Sequence, residues 1–234
     1  MRLDVLTLFP GLFSGFLDES IPKIAQEKGK AEVFLHDIRG WSQNKHNKVD
    51  DRPFGGGPGM VMTCQPLVDS VESVAAMDER PGRLVFLTPE GRRFDQRAAE
   101  EYAAEERLVM VCGRYEGFDE RVFEILRPER LSLGDFVLSG GEVAAMVVMD
   151  SVMRLLPDVL GCSGSAVEDS FSSGILDHPH YTQPPEYRGL AVPEVLRGGN
   201  HALINAWRRE RALERTRLFR PDLLPEGGDS AGRR

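Results

Sequence analysis

The carboxylates and cations best placed for chemistry lie beside glycine. Asp50, Asp51 and Arg52 precede Pro53-Phe54-Gly55-Gly56-Gly57-Pro58-Gly59-Met60. Glycines let backbone N–H groups approach a ligand closely and permit positive φ, while Pro53 and Pro58 stiffen the loop. Such a loop costs folding entropy and buries little apolar surface, which points to binding. A phosphate cradle is the first candidate, but the Gly-Lys-Ser/Thr of a Walker-type loop is missing. Met60, Val61 and Met62 follow instead and offer nothing to a phosphate. Three more glycine-bearing segments stand out: Leu87-Thr88-Pro89-Glu90-Gly91, Cys112-Gly113-Arg114-Tyr115-Glu116-Gly117 and Leu138-Ser139-Gly140-Gly141-Glu142. None is the GxGxxG of a dinucleotide site, yet three such turns can converge on one nucleoside-like ligand. His178-x-His180 is not read as a metal pair, because no third ligand sits at metal spacing.

The elements that must hold these turns alternate. Residues 3–9, 31–38, 83–88, 108–112 and 131–138 read as strands, and residues 13–27, 67–75, 96–106 and 142–156 carry helical spacing. This pattern argues an α/β domain with a largely parallel sheet covered on both faces. Ligands then bind outside the carboxyl ends of the strands, where the three turns fall. The expected organisation is an α/β domain over 1–160, a polar small-residue linker or loop over 161–177, a helical domain over 178–224 and a disordered tail over 225–234.

Composition bounds the function. The 234 residues suffice for one sizeable core, and a net charge of −8 argues against a general nucleic-acid coat. Charge is uneven, however: Arg208, Arg209, Arg211, Arg215 and Arg217 face only Glu210 and Glu214. Either selective docking to a polyanion or a solvated helix face fits that run. No apolar run approaches the length of a membrane span. The start, Met1-Arg2-Leu3-Asp4-Val5-Leu6, reads as a strand rather than a signal peptide. Three scattered cysteines, Cys64, Cys112 and Cys162, form neither a disulfide framework nor a metal knuckle. The expected compartment is a reducing cytoplasm.

Taken in order, these pieces resemble the TrmD-type tRNA (guanine-N1)-methyltransferases of the SPOUT superfamily. Leu8-Phe9-Pro10, the loop 49–60 and the three turns carry the resemblance. So do Leu133-Gly134-Asp135-Phe136-Val137, Glu168-Asp169-Ser170-Phe171, Pro179-His180-Tyr181-Thr182, Val192-Pro193-Glu194-Val195-Leu196 and Gly199-Asn200-His201. The resemblance implies a SPOUT-type sheet domain ending in a deep trefoil knot, followed by the small helical domain. It implies S-adenosylmethionine bound in a bent shape by Phe86, Leu87, Thr88 and Pro89, by Gly113, Tyr115 and Glu116, and by Leu133, Gly134, Asp135, Phe136, Val137, Leu138, Gly140 and Gly141. Backbone groups of these turns would hold the adenine. It implies methyl transfer to N1 of the guanine just 3′ of the anticodon, with Asp169 as general base and Arg154 supporting O6. Asp50, Arg52, Pro58, Gly59, Ser165, Asp177 and His180 would contact the tRNA, with Tyr181 and the basic helix gripping the anticodon arm. The family also implies a homodimer whose active site lies at the subunit interface, and Mg²⁺, with Glu116, Asp169 and Asp177 as available carboxylates. Phe54 stands where Tyr is common, Gln183 where Arg is usual, and Arg197-Gly198 where a Ser is often found; all three bear on tRNA contact rather than chemistry. The competing target is an RNA ribose 2′-hydroxyl; a non-catalytic RNA-binding module is the competing class.

Overall fold

The computed structural model describes residues 1–161 and 169–225. The chain divides into two compact units, Met1–Gly161 and Cys162–Arg234.

The first unit is built on five parallel strands. These are β1 (Arg2–Thr7), β2 (Glu32–Asp37), β5 (Gly82–Arg93), β6 (Arg107–Cys112) and β7 (Glu129–Ser132), in the order β2-β1-β6-β5-β7. A two-stranded antiparallel ribbon, β3 (Asp50–Asp51) and β4 (Val61–Met62), carries the glycine loop between its strands. The helices are α1 (Ser14–Leu17), α2 (Ser20–Glu27), α3 (Cys64–Ala75), α4 (Gln96–Ala103), α5 (Glu120–Leu126) and α6 (Glu142–Met153). Strand alternation divides the apolar residues between two cores. Leu3, Val5, Val85, Leu87, Leu108, Met110 and Cys112 meet Ala145, Val148, Met149 and Val152 of α6 and Tyr102 of α4. Leu6, Phe86, Val109 and Val111 meet Leu67, Val71 and Val74 of α3 and Val122 and Phe123 of α5 on the other side.

One buried position on β1 is charged. Asp4 is fully buried and receives Nε and Nη2 of Arg2 at 2.8 and 2.9 Å, Nε of Arg107 at 2.8 Å, and a bond with His36 Nε2 at 2.8 Å. Arg107 also donates to the carbonyls of Val74, Ala75 and Asp78, closing the C-terminal end of α3. Burial pushes the Asp4 carboxyl up, but the bonds from His36, Arg2 and Arg107 outweigh it and hold the group far below the usual carboxylate range.

Three sequence readings need correction. The helix expected over 13–27 is broken at Asp18-Glu19 into a 3-10 turn, α1 and α2. The strand expected over 131–138 ends at Ser132, because the following Leu133-Gly134 leaves the sheet, with φ of +153° at Gly134. A helix, α5, and the first half of β7 were not expected. The α5 segment is only seven residues long, too short a stretch for periodicity to register, and is capped by Asp119, whose carboxylate accepts from Arg121 N.

The second unit contains a small antiparallel hairpin, β8 (Glu186–Tyr187) with β9 (Leu190–Ala191), and the 19-residue helix α7 (His201–Phe219). Asn200 caps α7, its side chain accepting from Ala202 N and Leu203 N. Among the described residues no helix is long and apolar enough to cross a membrane.

Candidate functional site

A cavity of about 240 Å³ opens at the carboxyl ends of β6 and β7, beside the interruption of β5 after Leu87. Its wall includes Leu87, Thr88, Pro89, Gly113, Tyr115, Glu116, Leu133, Gly134, Phe136, Val137, Leu138, Gly140 and Gly141. The turns singled out in the sequence are therefore neighbours in space. Two expected residues are not in this wall. Phe86 alternates to the opposite face of β5 and is buried against Phe118 and Phe123, with ring centroids 4.9 and 5.5 Å away. Asp135 is exposed and pairs with Arg93 at 2.8 Å. Sequence reasoning missed Arg114, Phe118, Leu131, Ser132 and Ala144, which also line the cavity. Arg114 was the most findable of these, as the one cation inside a glycine turn already under suspicion.

Close backbone approach explains the glycines. Gly141 N donates to Gly113 O at 2.8 Å, and a Cβ on Gly141 would lie 2.8 Å from Cys112 Cα and 2.9 Å from Gly113 N. Only a residue without a side chain lets these two turns touch. Gly91 is similar: between Leu87 and Arg92 the pairing of β5 with β7 is interrupted, and a Cβ there would lie 2.2 Å from Leu131 N.

The opening glycine loop is fastened to this wall. Glu116 N donates to Met60 O at 2.9 Å, Met62 N to Gly117 O at 2.9 Å, and Asp119 N to Met62 O at 3.0 Å. Gly55, Gly56, Gly57 and Gly59 all have positive φ, between +79° and +123°. A Cβ on Gly59 would meet the Glu116 side chain, 2.2 Å from Oε1. Glu116 thus touches both the cavity and the loop. Asp50 is half-buried, whereas Arg52, Pro58 and Gly59 are exposed, as is Phe54. Arg154 closes the C-terminal end of α6, its N–H donating to Asp150 O at 3.1 Å, and is half-buried.

In the second unit, Asp169 is half-buried in a tight turn, its carbonyl accepting from Ser172 N at 3.3 Å. Ser165 and Glu168 lie outside the described residues. Asp177 organises the histidines. Its Oδ1 accepts from His178 N and lies 2.6 Å from His178 Nδ1, and its Oδ2 bonds His180 Nε2 at 2.8 Å. Burial pushes the Asp177 carboxyl up, but the bonds from His180 and the His178 backbone N–H prevail and hold it below its ordinary value. The structure corrects the expectation that the histidine pair lacks a third partner. Asp177, His178 and His180 each present one ligand atom, all within 4.8 Å of one another. On α7, Arg208, Arg209, Arg215 and Arg217 are exposed, whereas Arg211 pairs with Glu214 at 2.6 Å. The Tyr181 and Trp207 rings lie 6.3 Å apart on the same unit.

Residues 1–226 match the family described as tRNA (Guanine-1)-methyltransferase TrmD. The tRNA (guanine-N(1)-)-methyltransferase of Geobacillus kaustophilus (strain HTA426) is 55% identical over 227 residues, covering 97% of this chain and 92% of that protein. The enzymes of the same name from Bacillus cereus (strain AH820) and Bacillus anthracis (strain CDC 684 / NRRL 3495) are each 54% identical over 226 residues. Those matches cover 97% of this chain and 93% of theirs.

Proposed function

The chain belongs to the tRNA (guanine-1)-methyltransferase family, and from that premise we propose that it methylates N1 of the guanine immediately 3′ of a tRNA anticodon, using S-adenosylmethionine. The observation that carries this reading is the cavity walled by three glycine turns at one end of the parallel sheet. Such turns present backbone N–H and C=O groups to an adenine without needing particular side chains, and Leu87, Leu133 and Leu138 add apolar surface for its faces. The segment forming these turns is assigned to the family's trefoil knot.

Guanine N1 carries a proton and is a poor nucleophile. In the proposed step the Asp169 carboxylate takes that proton, the N1 electron pair attacks the donor methyl carbon, and the carbon–sulfur bond breaks with its electrons left on sulfur. Negative charge grows on O6 as the proton leaves. Arg154, permanently charged and offering a fork of donors, suits that oxygen. The glycine loop would wall the target base, with Asp50, Arg52, Pro58 and Gly59 toward the RNA. Ser165, Asp177, His180, Tyr181 and the exposed arginines of α7 would hold the anticodon arm.

A homodimer with the active site at the subunit interface completes the reading. Its support is the outward face of α6, where Val143 and Val147 are exposed at 54% and 42%, beside exposed Asp150. The two valines stand one helical turn apart and make an apolar patch that a second copy would cover. Mg²⁺, which the resemblance implies, requires oxygen ligands. Among the described residues the one grouping of three candidate ligands is Asp177-His178-His180. Its two imidazoles suit a transition metal better than Mg²⁺, so no step is assigned to that ion. A tRNA substrate and the free thiols of Cys64 and Cys112 support a cytoplasmic location.

The test is methyl transfer from labelled S-adenosylmethionine to an unmodified tRNA transcript with guanine 3′ of the anticodon. Label recovered as N1-methylguanosine at that nucleotide supports the reading. Label recovered as a 2′-O-methyl nucleoside replaces it with the ribose alternative, and RNA binding without donor affinity replaces it with a binding module.

A further inference from the structure

Glu142 is the second fully buried carboxylate of the first unit, 1% exposed at the start of α6. A negative charge is favoured at a helix N-terminus, but a buried one still needs partners. Thr7 donates to its Oε1 at 2.8 Å, and Arg114 Nε lies 2.9 Å from its Oε2. The Arg114 contact is a close ion pair not aligned as a hydrogen bond, so charge rather than geometry fixes it.

Arg114 reaches further than its partner requires. Its Nη1 donates to Ser139 O at 3.2 Å, and its guanidinium stands 4.5 Å from the centre of the Phe9 ring. Its backbone bridges Gly140, and a Cβ on Gly140 would lie 2.3 Å from its Nε. One side chain therefore ties together the end of β1, the 113–117 turn, the 139–141 turn and the first residue of α6. Both turns belong to the cavity wall, where they lie side by side. A fold that needed only to neutralise Glu142 would not need the second reach to Ser139, and lysine would serve.

We propose that Arg114, anchored by Glu142, is a positioning residue that fixes the separation of the two turns and so sets affinity for the methyl donor. The inference rests on the reading of the cavity as the donor site. Arg114 acts by holding the turns and takes no part in proton or methyl transfer. Loss of the bridge loosens the 139–141 turn, and the donor must then order it on binding.

The test compares Arg114→Ala, Arg114→Lys and Glu142→Gln with wild type in the full-length protein. The measurements are S-adenosylmethionine Kd by calorimetry, KM for donor and for tRNA, and thermal midpoint. Arg114→Lys keeps the charge beside Glu142 but cannot span both partners. It is expected to restore the midpoint lost in Arg114→Ala while leaving donor Kd about tenfold above wild type, the scale of one charge-assisted hydrogen bond. The rise should appear in KM for donor and not in KM for tRNA. Glu142→Gln is expected to weaken donor binding similarly, and should it fail to fold, Arg114→Lys decides alone. Wild-type Kd in Arg114→Lys would overturn the inference, reducing the pair to charge neutralisation. Absence of donor binding by folded wild type would instead overturn the donor reading of the cavity.

Discussion

Gly56 and Gly59 offer a controlled experiment on the link between the glycine loop and the cavity. Their φ angles are +79° and +80°, so alanine suffers the same backbone strain at either position. That strain is roughly 1–2 kcal/mol, partly offset by about 0.4–1 kcal/mol from a stiffer unfolded chain. A net cost near 1 kcal/mol corresponds to a fall of about 3 °C in thermal midpoint for both variants. Their surroundings differ. Nothing lies within 4 Å of a Cβ on Gly56, whereas one on Gly59 falls 2.2, 2.6 and 2.8 Å from Oε1, Cγ and Cδ of Glu116. Favourable contact between heavy atoms begins at about 3.5 Å, so Glu116 must swing away. Its side chain is exposed and can do so at little cost in stability. Gly59→Ala is therefore expected to melt with Gly56→Ala yet to lose about 10–100-fold in kcat/KM, the scale of a lost interaction with a charged group. A double-mutant cycle isolates the cause. In a Glu116→Ala background the collision no longer exists, and Gly59→Ala should then behave like Gly56→Ala. Equal kcat/KM for the two single variants would refute the reasoning, because strain is the one thing they share.

Further outcomes follow from other sites. Asp4→Asn strands Arg107, 1% exposed, without its counter-charge and leaves Arg2, 8% exposed, paired with Asp78 alone. It should cost about 3–5 kcal/mol, lowering the thermal midpoint by about 10 °C. Because the folded-state value of the Asp4 carboxyl is depressed, its contribution to stability is fully present above the ordinary aspartate value of about 3.9 and is lost as pH falls below it. Chemical denaturation at pH values below about 4 should show an acid loss that shrinks in Asp4→Asn. Asp169→Asn should abolish methyl transfer while leaving donor affinity within twofold of wild type, measured by calorimetry; retained activity would send the search for the base to another carboxylate. Val147→Glu on α6 should shift sedimentation toward monomer and take activity with it, if that face meets a second copy.

What was legible in the sequence was periodicity and punctuation. The strands β1, β5 and β6 are rich in Val, Leu, Met or Phe with glycine or proline soon after the apolar run, and the helices α3, α4 and α6 repeat at helical spacing. The parallel α/β class follows from their alternation, and the turns at the strand ends follow from the glycines. The site residues were a harder inference, because a motif names neighbours in sequence whereas a cavity selects neighbours in space. Phe86 and Leu87 are neighbours in the expected donor-binding set, but pleating sends them to opposite faces. One becomes core against Phe118 and Phe123, and the other becomes wall. Arg114 escaped notice for the opposite reason. Its partner Glu142 stands 28 positions later, and nothing local marks that carboxylate as buried. Pairings of this kind arise when a chain returns to its own strand ends, so they are invisible to any window along the sequence. The same return brings Gly141 against Gly113 and allows a nucleoside-sized cavity to be lined almost wholly by turns. The glycines that made these turns conspicuous are thus where two segments must touch, and the charged residues beside them, Arg114 and Glu116, couple the cavity to the rest of the unit.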